Sequence, residues 1–432
     1  MSLLSLLAKH REDGDRPFLI ADHGTLTMSD VMDKSSSHLD HIKPGQVVAI
    51  VGDFDSQSIA DLITLIERRA VLVPLTAATR GDHEYFFETA RVDWIVEEGH
   101  AARRVHTDEH PLLDELRRMG DPGLVLFSTG TTGRPKGILH NMSTFLMRFE
   151  TPRPTLRTLA FLLFDHIGGI NTLLHTMFNA GVVITPTDRS VSGVLETCRE
   201  YQVEALPTTP TFLRMMLISG QVPDEVPDSI KIITYGTERM DQPTLNAMCD
   251  LLPKVDFRQT FGMSELGIVR VKSRARNSLF MRIGGEGVRT RVDDGVLKIL
   301  SPTRMMGYLN AESPFDGDGW YDTKDVVEED EGFIKVVGRT SDVINVGGLK
   351  FMASEVERVA LDYPGVALVS VVSRENPITG QHIEMTVETV DGQSLDTLAM
   401  RAYLSTRLPE HMIPRRIANN RVSVGYRFKR AE

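Results

Sequence analysis

The sequence predicts an α/β protein: a large N-terminal domain of doubly wound sheets carrying a small barrel-like part, followed by a small α+β C-terminal domain. Three observations point there. Short runs rich in Val and Ile, at 46–51, 70–75, 94–97, 124–127, 182–185 and 230–235, alternate with helix-length amphipathic stretches. Such runs read as buried parallel strands joined by crossover helices. Near residue 285 the chain turns Gly-punctuated and alternating, at 288–299 and 319–337, as twisted hairpins or a small barrel require. After Gly338 the pattern changes again: strand, turn and strand over 343–351, an amphipathic helix over 354–362, strands over 366–372 and 382–389, and a helix over 396–408.

Size and charge bound what the chain can do. With 432 residues, 41% hydrophobic and 25% charged, it is long enough for two or three domains and has the balance of a folded globular protein. The 59 acidic against 48 basic residues leave a net charge of -11, which argues against a general affinity for nucleic acid or anionic membranes. Polyphosphate binding has to be local. The two cysteines, Cys198 and Cys249, form no CxxC pair, so neither a disulfide framework nor a structural zinc site is expected. The first 17 residues suit an amphipathic helix, and no apolar run approaches the ~20 residues of a membrane helix. A cytoplasmic location is the expectation.

The densest chemistry lies in LVLFSTGTTGRPKGILH, residues 124–140. A strand delivers the chain into Ser128, Thr129, Gly130, Thr131, Thr132 and Gly133. The glycines there permit tight turns, and the hydroxyls and amides can surround phosphate oxygens. Lys136 adds a cation. Pro135 stands where a Walker loop needs its Gly, so this is not an ordinary P-loop. Alone, the segment also reads as a flexible surface loop.

STGTTGRPKG resembles the phosphate loop of the AMP-forming adenylating enzyme superfamily, which includes acyl- and aryl-CoA synthetases, luciferases and nonribosomal peptide adenylation domains. Further segments resemble that family in the same order. QTFGMSE, from Gln259 and Thr260 through Phe261, Gly262 and Met263 to Ser264 and Glu265, is similar to its Tyr-Gly-x-Thr-Glu segment. The resemblance implies that Phe261 lies against adenine, Ser264 approaches the α-phosphate and Glu265 helps hold Mg2+. An aromatic face, a hydroxyl and a hard carboxylate oxygen suit those ligands. YGTERM, with Gly236, Thr237 and Glu238, falls where the family places a segment beside adenine and the acyl group; by itself it is a strand-ending turn.

GWYDTKD resembles the family's Tyr-x-Thr-Gly-Asp, which makes Asp325 the ribose ligand. Lys324 stands where Gly is usual, either near the nucleotide or on the outside of the turn. In GRTSDVINVGGLK, Arg339 matches the arginine that reaches ribose or phosphate, and Ser341 matches the pivot of a mobile C-terminal domain. Gly347 and Gly348 match the path of a phosphopantetheine arm. The implied organisation is an adenylation domain over 1–338, a hinge at 339–342 and a mobile domain over 343–432. The family's catalytic lysine near the end corresponds to Lys429, the only lysine after Lys350, although Gly425 precedes it by four residues instead of one.

The resemblance implies an ATP- and Mg2+-dependent carboxylic acid ligase. It forms an acyl-AMP and passes the acyl group to the thiol of CoA or of a carrier-protein phosphopantetheine. Lys429, Glu265, Ser264 and Lys136 would carry the chemistry. In FDHIGGI, Asp165 either pairs with a substrate ammonium, as in amino-acid adenylation, or caps local structure while His166 lines the acyl pocket; Gly168 and Gly169 leave space. A non-amino acid is the favoured substrate. An amino-acid-activating enzyme that loads an acyl or peptidyl carrier protein is the alternative. A nucleotide-binding homologue without turnover is a third.

Overall fold

In the computed structural model the described residues are 3, 16–21, 24–34, 36–105, 109–128, 134–151, 153–422, 424–425 and 427. Most of the helix expected in the first 17 residues, together with Thr129 to Gly133 and Lys429, lies outside them. Each Val/Ile run becomes a strand: Val47–Val51, Val71–Leu75, Trp94–Glu97, Gly123–Phe127, Val182–Ile184 and Ile232–Tyr235. Val47–Val51, Val71–Leu75 and Gly123–Phe127 are buried at every position, because a parallel strand is covered on both faces.

Among the described residues the strands form four sheets, three of seven strands and one of five. In the first, Gly123–Phe127, Val71–Leu75, Val47–Val51 and Trp94–Glu97 run parallel, and antiparallel partners Gly137–Asn141 and His100–Arg103 flank them. In the second, Asp256–Gln259, Ile232–Tyr235, Ala205–Thr208, Arg157–Leu159 and Val182–Ile184 are parallel. One core lies between these sheets, and helices Ser56–Glu67 and Ile167–Phe178 feed it Ile59, Leu62, Ile63, Ile170, Leu174 and Met177.

The chain leaves the second sheet at Gln259 and, one residue on, enters the third as Phe261–Met263. That sheet is antiparallel, with its own core around Leu266, Met281, Leu297 and Ile299. The junction places the QTFGMSE segment at the carboxyl edge of a parallel sheet, where α/β folds bind ligands. The fourth sheet, over 343–419, is covered by helices Ala353–Leu361 and Thr397–Ser405. Its packing on the rest of the molecule is tied by Arg214, whose guanidinium donates to the carbonyls of Ala367 at 2.7 Å and Val366 at 2.9 Å, and by the Arg239–Glu357 pair at 3.5 Å.

Candidate active site

Strand Gly123–Phe127 ends at Ser128, whose amide donates to the carbonyl of Lys136 at 3.1 Å while the Lys136 amide donates to Ser128 Oγ at 3.0 Å. These two bonds hold Ser128 and Lys136 together. Lys136 Nζ lies 4.7 Å from the centre of the Tyr308 ring, a cation–π contact. The Tyr308 hydroxyl donates to Glu265 Oε1 at 2.7 Å. One tyrosine therefore joins the loop lysine to the expected metal ligand. Burial, with the Glu265 charge beside it, raises the Tyr308 pKa, so the hydroxyl stays a donor at neutral pH.

Ser264 and Glu265 are pinned through their backbones. The Ser264 carbonyl accepts from His140 Nε2 at 2.6 Å, and the Glu265 carbonyl accepts from the Met305 amide at 2.8 Å. Burial pushes the His140 pKa down to about 4, so the ring is neutral and serves as a donor. Gly236 is required by close packing: a Cβ there would lie 2.1 Å from Thr260 Oγ1 and 2.8 Å from the Thr260 carbonyl. Gly262 is crossed just as closely, by the Gly267 carbonyl at 2.7 Å from such a Cβ. Thr237 has φ +72°, and its hydroxyl is buried without a partner among the described residues, as is Gln259 Oε1. Glu238 accepts the Thr211 amide at 2.7 Å at the start of helix Pro210–Ile218. Phe261 packs against the barrel core.

Asp325 is buried, and Arg339 Nε donates to its Oδ1 at 3.3 Å. Burial outweighs the arginine and raises the carboxyl to about 6. Lys324, at φ +61°, turns outward to Asp322 at 2.7 Å, on the exposed side of the turn. Ser341 lies in a one-turn helix and donates to Asp342 Oδ1 at 2.9 Å. Gly347 and Gly348, at φ +61° and +89°, make the hairpin turn between Val343–Val346 and Leu349–Met352, a left-handed geometry that suits glycine.

A cavity of about 370 Å³ opens among these parts. Ser128, Ser264, Glu265, Arg339 and Arg427 line it, together with residues of helix Ile167–Phe178. Thr237, Thr260, Gly262 and Met263 also reach it. His166 and Gly168 are in its wall, and His166 Nδ1 accepts the Gly168 amide at 3.0 Å, capping the helix. Gly169 is not in the wall: a Cβ there would meet the Leu163 carbonyl at 2.0 Å, so its bare backbone serves packing instead of substrate space. Nor does Asp165 line the cavity. It is 3% exposed and pairs with Arg427, Nη2 to Oδ2 at 3.1 Å.

Sequence reasoning missed Tyr308, His140 and Arg427, which act through contacts between distant segments. It also missed the polar residues of helix Ile167–Phe178, which a helical plot of the sequence displays.

This fold and site define a class. Among solved structures the chain is similar to the anthranilate CoA ligase AuaEII bound to anthranoyl-AMP, with a TM-score of 0.81 at 16% identity over 97% of this chain and 93% of that one. That likeness establishes the adenylate-forming fold. The model of the family described as AMP-binding enzyme matches residues 97–294. Relatives include 2-succinylbenzoate–CoA ligase of Bacillus subtilis strain 168, 26% identical over 69% of this chain, and a plipastatin synthase chain of the same organism, 24% identical over 74% of it. This protein spans 64% and 14% of their respective lengths. By family model, relatives and fold it is similar to the AMP-binding, adenylating enzymes.

Proposed function

We propose that the protein activates a non-amino carboxylic acid with ATP and then transfers the acyl group to a thiol of CoA or of a carrier-protein phosphopantetheine. A carboxylate is a poor electrophile. In the first step its oxygen attacks the α-phosphorus, the bond to the bridging oxygen breaks, and acyl-AMP and pyrophosphate form. In the second, a thiolate attacks the acyl carbonyl and AMP departs; the thiol proton goes to solvent or base. The observation that carries this reading is the meeting of Ser128, Ser264, Glu265 and Arg339 in the wall of one cavity of about 370 Å³.

The Ser128–Lys136 loop and Ser264 would hold the phosphates, and Asp325 with Arg339 the ribose. Glu265 fits Mg2+: Tyr308 occupies Oε1 and leaves Oε2 without a partner among the described residues. Those residues hold no cluster of three His, Cys, Asp or Glu side chains. One protein carboxylate is enough for Mg2+, which takes its other ligands from phosphates and water. When bound, the ion would neutralise charge on the departing pyrophosphate. Lys429, two residues after Arg427, would steady the carboxylate and α-phosphate during attack. Rotation about 339–342, with Ser341 as pivot, would then withdraw Lys429 and present Gly347 and Gly348 to the pantetheine arm. This turn must break the Arg214 and Arg239 ties and the Arg427–Asp165 pair.

Asp165 argues against an amino-acid substrate, because its charge is matched by Arg427 and it lies outside the cavity wall. Acid-dependent exchange of labelled pyrophosphate into ATP tests the proposal. Exchange with aryl or short aliphatic acids but not with amino acids is expected. Exchange confined to amino acids would reverse the substrate assignment.

A further inference from the structure

Helix Ile167–Phe178 has two unlike faces. Ile167, Ile170, Leu174 and Met177 enter the core between the parallel sheets. Asn171, Thr172, His175 and Thr176 face the opposite way at helical spacing, and all four line the cavity. Thr208, which ends strand Ala205–Thr208, lines the same space. Thr172 is satisfied locally, its hydroxyl donating to the Gly168 carbonyl at 2.8 Å. Thr176 and Thr208 are not. Each is 2% exposed, and neither hydroxyl has a partner among the described residues. Asn171 and His175 are half-buried in the same wall.

Buried polar groups left unpaired are unfavourable, and native interiors contain few of them. Two such hydroxyls on one cavity, Thr176 and Thr208, with the half-buried Asn171 and His175 beside them in the wall, mark where a partner arrives with the ligand. The charge balance narrows its chemistry. Among the described residues the only carboxylate in the cavity wall is Glu265, the proposed Mg2+ ligand, whereas Arg258 also lines the wall. Burial, with Arg153 adding to it, lowers the His175 pKa, so a neutral imidazole offers one donor and one acceptor. No other described residue in the wall carries a negative charge to complement a cationic tail.

We propose that the acid carries an oxygen-bearing hydrogen-bonding group on its tail, a hydroxyl, carbonyl or second carboxylate, which Asn171, His175, Thr176 and Thr208 receive. The proposal rests on the reading of the chain as an acid-activating enzyme and names its substrate class. A site built to hydrogen-bond a substrate oxygen rejects the analogue that lacks it far more strongly than an apolar slot rejects an extra methylene.

The test uses pairs of acids matched in length and shape that differ only in whether the tail ends in methyl or in an oxygen group. The full chain is assayed for acid-dependent pyrophosphate release, and binding of the same acids is followed by calorimetry. The oxygen-bearing partner should show kcat/KM on the order of 100-fold higher. The double variant Thr176→Val, Thr208→Val keeps side-chain shape. It should reduce that preference to less than about tenfold without changing ATP affinity, and should melt at a higher temperature than the parent, since two unpaired hydroxyls are gone. Equal turnover of the two partners would overturn the proposal, as would an unchanged preference in the double variant. Should no acid release pyrophosphate, the activation reading fails. A calorimetric preference for the oxygen-bearing acids would then still support the pocket assignment, and equal binding would remove it.

Discussion

Arg427 donates to Asp165 at 3.1 Å across 262 residues of chain, and both side chains are almost fully buried. The contact joins the C-terminal tail to the segment that caps helix Ile167–Phe178, two residues from the proposed catalytic Lys429. By the proposed mechanism it belongs to the adenylating arrangement alone. Arg427→Ala should therefore lower pyrophosphate release at least tenfold, about 1.4 kcal/mol of transition-state stabilisation. Thiol transfer from supplied acyl-AMP should be unchanged. Equal loss in both half-reactions would show that the pair only supports folding.

Tyr308→Phe deletes a hydrogen bond to the Glu265 carboxylate and keeps the ring under Lys136. Outer contacts to a metal-binding carboxylate typically carry roughly 10- to 100-fold in metal affinity. The Mg2+ concentration for half-maximal adenylation should rise by about tenfold or more in a titration. ATP binding without metal should change little.

Asp325 sets a pH dependence with a definite sign. Its carboxyl is raised from 3.8 to about 6 in the folded chain, so the native state binds more protons than the unfolded one between those values. This group's contribution to stability is full below the unfolded value and is lost as pH rises through about 6. Nucleotide binding should run the other way, because a ribose hydroxyl needs the carboxylate as acceptor. AMP affinity, measured from about pH 5 to about 7.5, should rise through a midpoint near 6. Asp325→Asn should bind AMP weakly and without that step.

Lys324 holds a left-handed backbone, φ +61°, with only an exposed pair to Asp322 in return. A side chain in this region is disfavoured by roughly 1–2 kcal/mol relative to glycine. Lys324→Gly should therefore raise stability by about 1 kcal/mol in chemical denaturation. Adenylation should be unaffected, since the ammonium points away from the cavity.

Much of this was legible in the sequence, because its signals are local. The Val/Ile runs became strands within two residues of their expected limits, since a strand buried on both faces leaves little room for polar residues. The motif order brought Ser128, Ser264, Glu265 and Arg339 to one cavity. What was not legible depends on distant contacts. The sequence left Asp165 open between ammonium ligand and structural residue, and its partner lies at the far end of the chain. Gly169 looked like pocket space until the Leu163 carbonyl was seen against it. The polar stripe from Asn171 to Thr176 was readable at helical spacing, but only the structure shows that it lines a cavity.

The central claim is that ATP is opened at its α-phosphorus by a carboxylate. Its most direct test resolves the nucleotide products after incubation of the full chain with ATP, Mg2+ and a turned-over acid, in the absence of any thiol. AMP, as acyl-AMP or its hydrolysis product, should appear together with equimolar pyrophosphate. ADP and orthophosphate in their place would contradict the account.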